Sequence, residues 1–156
     1  PGDIVITSNG GAPLDQNVYQ AVKGITTADL AAAEGAVIIM CAECADGIGG
    51  DVFYQALKEC EGVSALLKRI REVPMDETVP DQWQYQILAR IMEKHPIIFV
   101  TRSDLRSEIT DMKFEYADSL EHAFARAKEI KGENAAVTVI PNGVSIVVEK
   151  KSGSRR

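Results

Sequence analysis

"DIVITSNGGAPLDQNVYQAVKG", residues 3–24, decides how the rest of the chain is read. Its opening run, "DIVITS" (3–8), is short, nearly all apolar and rich in β-branched residues, the mark of a strand buried on both faces. A Gly-Gly loop follows. Leu14, Val18, Ala21, Val22 and Ile25 then fall on one stripe at helical spacing, which predicts a helix from about Leu14. "AVIIM" (36–40) and "PIIFVT" (96–101) repeat the buried-strand pattern, so the order begins strand, helix, strand.

Two helical segments are predicted between the second and third strands, roughly Val52 to Ile70 and Asp81 to Glu93, with Pro80 and Asp81 as the start of the latter. "DSLE" (118–121) fits a capping box with Asp118 as the cap; Leu120, Ala123, Phe124 and Ala127 supply the apolar face and Gly132 the stop. "AVTVIPNGVSIVVE" (136–149) sets two β runs around Asn142-Gly143, a strong hairpin signal. The expected fold is therefore α/β: a three-layer domain with a mostly parallel sheet and a C-terminal antiparallel hairpin. In such sheets ligands sit outside the carboxyl ends of the strands, where "NGGAP" and "CADGIGG" both fall.

The 156 residues suit one compact domain, expected over 1–150 with a flexible basic tail at 151–156. Hydrophobic residues at 46% and charged residues at 26% are globular values, which argues against disorder. A formal net charge of -6 opposes broad contact with phosphate backbones, so no nucleic-acid partner is expected. No run approaches the ~18 apolar residues that span a bilayer, so no membrane partner is expected either. Three cysteines in a chain with enough core to need no staples favour reduced thiols and a cytoplasmic location. The first strand begins almost at Pro1, which reads as a domain cut from a longer protein.

The helix face opposite the apolar stripe gathers Gln16, Tyr19, Gln20 and Lys23 directly behind Gly10 and Gly11. The glycines permit positive φ or close approach of backbone to a ligand, and a free helix N-terminus holds anions on its N–H groups. Against this stands a tight strand-to-helix turn capped by Asn9 or Asp15, with a solvated polar face. "DGIGGD" (46–51), containing Asp46 and Gly47, is a second glycine-rich loop, without the spacing of a dinucleotide fingerprint or a P-loop lysine. It is either a weak phosphate loop or, since Asp46 and Asp51 put negative charge beside any bound phosphate, a loop that caps a helix and shapes a crevice.

The Cys41-x-x-Cys44 pair lacks the two further ligands a structural zinc needs, and Cys41 follows a strand without the exposed helix N-terminus of a redox pair. Buried or half-buried thiols are expected there, with no metal. His95 and His122 read as structural or solvated, and no serine sits in a nucleophile elbow. Trp83, the sole tryptophan, is on general grounds a core anchor, although its place in a first helical turn leaves it near a ligand mouth. The residues thus describe an anion-binding crevice with no acid, base or nucleophile, in effect half of an active site.

In order along the chain, "DIVITSNGGAPLDQNVYQAVKG", "EGAVIIMCAECADGIGG", "VPDQWQYQILARIMEKH" and "VTVIPNGVSIVVE" resemble the C-terminal domain of the nickel-pincer lactate racemase family. The resemblance implies a two-domain protein. Its absent N-terminal domain would hold, through histidines and a lysine, a nickel-pincer mononucleotide derived from nicotinic acid, with no cofactor held by this fragment. It further implies inversion at the hydroxyl-bearing carbon of a small 2-hydroxy acid: a histidine takes the hydroxyl proton while hydride passes to the cofactor and returns on the other face. By motif, Gln20, Lys23 and Trp83 would face substrate and cofactor between the domains, with no catalytic residue in this domain. Ala12, where some lactate-acting members carry an aromatic residue, and Ile48, where "DGHG" is common, widen the substrate to other hydroxy acids or sugar acids. The other reading is a stand-alone module that binds an organic acid or nucleotide without catalysis.

Overall fold

The computed structural model describes residues 1–149; the expected flexible tail at 151–156 lies outside the described residues. Five strands, β1 (Gly2–Ser8), β2 (Ala32–Cys41), β3 (Ile97–Val100), β4 (Glu115–Ala117) and β5 (Val137–Ile140), form one sheet in the order β4-β3-β2-β1-β5. Every strand pairing is parallel. The helices are α1 (Val18–Ala31), α2 (Asp51–Lys58), α3 (Val63–Glu72), α4 (Gln82–Met92), α5 (Arg106–Asp111) and α6 (Leu120–Lys131).

The β-branched strands bury both faces, as parallel strands between helical layers must. Val5, Ile38, Met40 and Phe99 pack with α1 to α5, while Ile4, Val37, Ile39 and Ile98 face the other way onto Ala123 and Ala127 of α6. That is the expected three-layer α/β arrangement. The chain steps outward from β1 to β4 and then returns to the other side of β1, so the order reverses between β1 and β5.

The expected antiparallel hairpin is not formed among the described residues. The turn at Asn142-Gly143 is present, with Ser145 N–H donating to Asn142 O at 3.3 Å, but the chain there crosses the carboxyl end of β1: Gly143 N–H donates to Ser8 O at 2.8 Å, Ser8 Oγ donates to Pro141 O at 2.5 Å, and Asn9 and Asn142 form an isolated antiparallel bridge. Asn142-Gly143 serves close passage, since a Cβ on Gly143 would lie 2.9 Å from Gly24 Cα. Residues 145–149 pair with no described strand.

Three helix expectations shift as well. Leu14 is exposed and lies in a turn, and α1 begins at Val18 with Asn17, not Asn9 or Asp15, as its cap. The predicted 52–70 helix is two helices broken at 59–62, with Gly62 as the second N-cap. For α6 the cap is Ser119 rather than Asp118: Ser119 Oγ accepts from His122 N–H at 3.2 Å, and Asp118 pairs with the His122 ring.

Candidate functional site

The two glycine-rich loops meet at the start of α1, and they fill it. Val18 N–H donates to Gly47 O at 3.1 Å, Tyr19 N–H to Ile48 O at 2.9 Å, Gln20 N–H to Asn17 Oδ1 at 2.9 Å and Ala21 N–H to Asn17 O at 3.1 Å. The first three are amides a helix leaves free at its start, and the last is the first bond of the helix itself. The expected anion seat on the helix N-terminus is therefore occupied by the protein itself, and "DGIGGD" acts as a cap, with Gly50 also starting α2. Gly49 (φ +88) is required there, because a Cβ would sit 2.4 Å from Asn17 Cγ. The carboxyl end of β1 is crossed by the chain itself at 141–143.

What remains open is the flank of α1. Lys23 is exposed and forms no ion pair with a described residue. Gln20, one turn before it, is half-buried. Tyr19, four residues before Lys23, leans its ring on Phe53 at 5.4 Å and meets the Trp83 edge at 6.3 Å. Trp83 is 57% exposed, so the core-anchor reading is wrong: Gln82, Gln84 and Tyr85 take the buried positions of that turn and the indole faces out. The Tyr19 hydroxyl donates to Asp81 Oδ1 at 2.9 Å, and burial first, then that hydrogen bond and charge, hold its pKa above the ordinary value. Tyr19, Gln20 and Lys23 thus share one flank of α1 by helix phase, and Trp83 joins that flank through Tyr19.

The remaining predicted residues are not part of that face. Gln16 lies in the loop before Asn17 rather than on the helix, and its carbonyl accepts from Asp46 N–H at 2.7 Å. Asp46 is exposed, Gly47 is spent on capping, and Gly10 is exposed beside the Asn142 amide, which a Cβ there would meet at 2.7 Å. Gly11 (φ +87) borders open space.

One residue that sequence reasoning weighed only as a cap organises this region. Asn9, fully buried, donates from Nδ2 to Leu14 O and Gln20 O at 2.7 Å each, and its Oδ1 accepts from Gly24 N–H at 3.0 Å. The side chain thereby grips both ends of the helical segment carrying Lys23. A Cβ on Gly24 would strike Asn9 Oδ1 at 2.5 Å, so the glycine after Lys23 was the legible signal.

Cys41 and Cys44 are poorly suited to thiolate chemistry. Burial pushes Cys44 up to about 12 and also raises Cys41, and all three cysteines are free. Among the described residues no three His, Cys, Asp or Glu side chains converge as metal ligands. His95 is buried between Ala36 O at 3.0 Å and Asp29 Oδ1 at 3.2 Å, a structural placement. A cavity of about 580 Å³ beside it, lined by Ala32, Glu34 and Lys94 among others, lies at the opposite end of the strands from the two glycine loops.

Residues 1–148 match the family described as the lactate racemase C-terminal domain. A lactate racemase from Thermoanaerobacterium thermosaccharolyticum is 48% identical over 97% of this chain and 35% of its own length; one from Lactiplantibacillus plantarum is 44% identical over 94% and 35%. The solved lactate racemase apoprotein from Thermoanaerobacterium thermosaccharolyticum superposes with a TM-score of 0.93 at 47% identity, covering 96% of this chain and 36% of that one. The chain spans about a third of the length of the curated relatives it matches.

Proposed function

The chain belongs to the lactate racemase C-terminal domain family, and from that premise we propose that it is the C-terminal part of a 2-hydroxy acid racemase or epimerase. It closes the active site over a substrate and a nickel-pincer mononucleotide, both carried by an N-terminal domain of the same protein. The observation that supports this best is the flank of α1: an exposed ammonium without an ion pair to a described residue, on the same helix flank as the Gln20 amide and as Tyr19, whose ring meets the exposed Trp83. One cation and one amide are too few to enclose a ligand, but they suit one wall of a shared cleft.

The chemistry of these residues fits an anionic guest. Lys23 offers a point charge to a carboxylate or to an acidic cofactor oxygen, and in a cleft emptied of water such a charge-assisted hydrogen bond is strong. Gln20 adds a neutral donor and acceptor suited to a hydroxyl. Trp83 and Tyr19 present apolar edges that exclude water. The cofactor, when bound, supplies the hydride-accepting centre; the chain contributes binding and orientation, with Gln20, Lys23 and Trp83 facing the guest. The relatives are lactate racemases, and Ala12 and Ile48 leave room here for other hydroxy acids. No helix among the described residues is long and apolar enough to cross a membrane, and the three free thiols support a cytoplasmic location.

The alternative, a stand-alone binding module, loses support because the α1 N-terminus is satisfied by the chain itself. A comparison of the full-length protein with residues 1–156 alone tests the proposal. With enantiopure lactate and a panel of 2-hydroxy acids, the full-length holoenzyme is expected to form the opposite enantiomer, and the isolated chain none. Turnover by the isolated chain would overturn the shared-cleft reading.

A further inference from the structure

Asp81 occupies the N-cap position of α4 without acting as a cap: its side chain makes no bond to that helix and reaches back to the Tyr19 hydroxyl at 2.9 Å. It does so from a left-handed backbone, φ 64 and ψ 1, a conformation that costs a non-glycine residue free energy and that Asp and Asn tolerate better than most. Three residues on, Gln84 is 2% exposed and donates from Nε2 to Tyr19 O at 2.7 Å. Two bonds from one turn of α4 therefore converge on one residue of α1. Trp83 lies between the two anchors and meets Tyr19 edge-on, with an interplanar angle of 89°. Since the indole is mostly exposed, the core does little to fix it.

We propose that Asp81 is a positioning residue: through the Tyr19 hydroxyl it holds the Tyr19 and Trp83 rings at the angle they present to the substrate cleft. This rests on the reading of the Lys23 flank as that cleft. The strained backbone is consistent with such a role, because glycine at position 81 would release the strain and a carboxylate or amide there is what Tyr19 needs. Tyr19 is further tied at its carbonyl, so losing Asp81 frees the ring rather than the helix.

The variants separate bond from backbone. Asp81→Gly keeps the left-handed conformation without cost and deletes the acceptor, whereas Asp81→Asn keeps both the conformation and an acceptor oxygen. In the 156-residue chain Trp83 is the sole tryptophan, so its emission reports its surroundings directly. Asp81→Gly and Tyr19→Phe are expected to shift that emission to the red, raise its access to acrylamide and lower its anisotropy. Asp81→Asn should stay near wild type. Tyr54→Phe, which removes the similar but separate Tyr54–Asp111 bond of 2.6 Å, should leave Trp83 unmoved. In the full-length holoenzyme, Asp81→Gly should lower kcat/KM about tenfold, with Asp81→Asn restoring it to within about twofold.

Unchanged Trp83 emission in Asp81→Gly overturns the proposal, as does shifted emission with unchanged kcat/KM. The second outcome is read against Lys23→Ala. If that variant loses turnover, the cleft stands and only the role of Asp81 falls; if it does not, the reading of the cleft falls too.

Discussion

Asn9 Oδ1 accepts the backbone N–H of Gly24 at 3.0 Å, across a gap that leaves no room for a β-carbon. A helix ordinarily pairs the N–H of residue 24 with the carbonyl of residue 20, and the Asn9 amide engages both groups. Gly24→Ala would bring its methyl to 2.5 Å from that oxygen in a site with no slack. The expected loss is about 1–3 kcal/mol from overpacking, with a further ~1 kcal/mol if the amide is pushed off a partner. Thermal unfolding should show a drop of several degrees, and an unchanged melting temperature would mean that the loop yields freely.

Lys23→Ala should behave in the opposite way. The side chain is exposed, with no ion pair to a described residue, so the fold loses almost nothing. The reaction loses a charge-assisted hydrogen bond of roughly 1.5–3 kcal/mol, or about 10- to 150-fold in kcat/KM of the full-length holoenzyme. Gln20→Ala should follow more mildly. A variant that melts many degrees lower while its folded fraction turns over normally would make this face ordinary surface.

Cys44 links stability to alkaline pH. Burial lifts its thiol from 9.0 to about 12 in the folded chain, so the folded state keeps a proton that the unfolded state releases. The contribution is fully present below pH 9 and fades between the unfolded and folded values, with a slope of order 1.4 kcal/mol per pH unit for one group. Urea titrations at pH 8 and 10 should therefore show a larger loss in wild type than in Cys44→Ala. Equal losses would mean that the thiol is solvated.

Gly49→Ala should damage α1 from a distance. At φ +88 an alanine is strained, and its methyl would lie 2.4 Å from Asn17 Cγ, displacing the side chain that caps Gln20. Loss of a cap costs about 1 kcal/mol, and the positive φ about as much again. Circular dichroism and melting of the purified variant measure the sum. Stability within about 0.5 kcal/mol of wild type would show that the loop re-forms around the methyl.

The elements legible in the sequence were those whose pattern is local. "DIVITS", "AVIIM" and "PIIFV" are buried on both faces and read as strands at once, and Gly132 ends α6 as expected. Short elements carry too few residues for periodicity to show: β4 has 3 and α5 has 6, and neither was anticipated. Asn142-Gly143 has hairpin chemistry, but the passage of Gly143 against Gly24 is a long-range demand invisible to local rules. The same holds around α1. Helix phase was enough to place Lys23 on the outward side of α1, whereas Asn9, Asp81 and the spent amides of α1 depend on partners far away in sequence.

The capping of α1 by Gly47 O and Ile48 O has a consequence for how this fold can be re-engineered. A helix whose first amides are satisfied by its own residues travels as a module, and its loop can be exchanged between homologues. Here the start of α1 is finished by backbone from beyond β2, so neither glycine loop is portable alone. Grafting 9–17 without 44–49 would leave a helix with unprotected amides. The protons on Val18 and Tyr19 should accordingly exchange with solvent at the pace at which the second loop opens, a clock for one segment written in the amides of another.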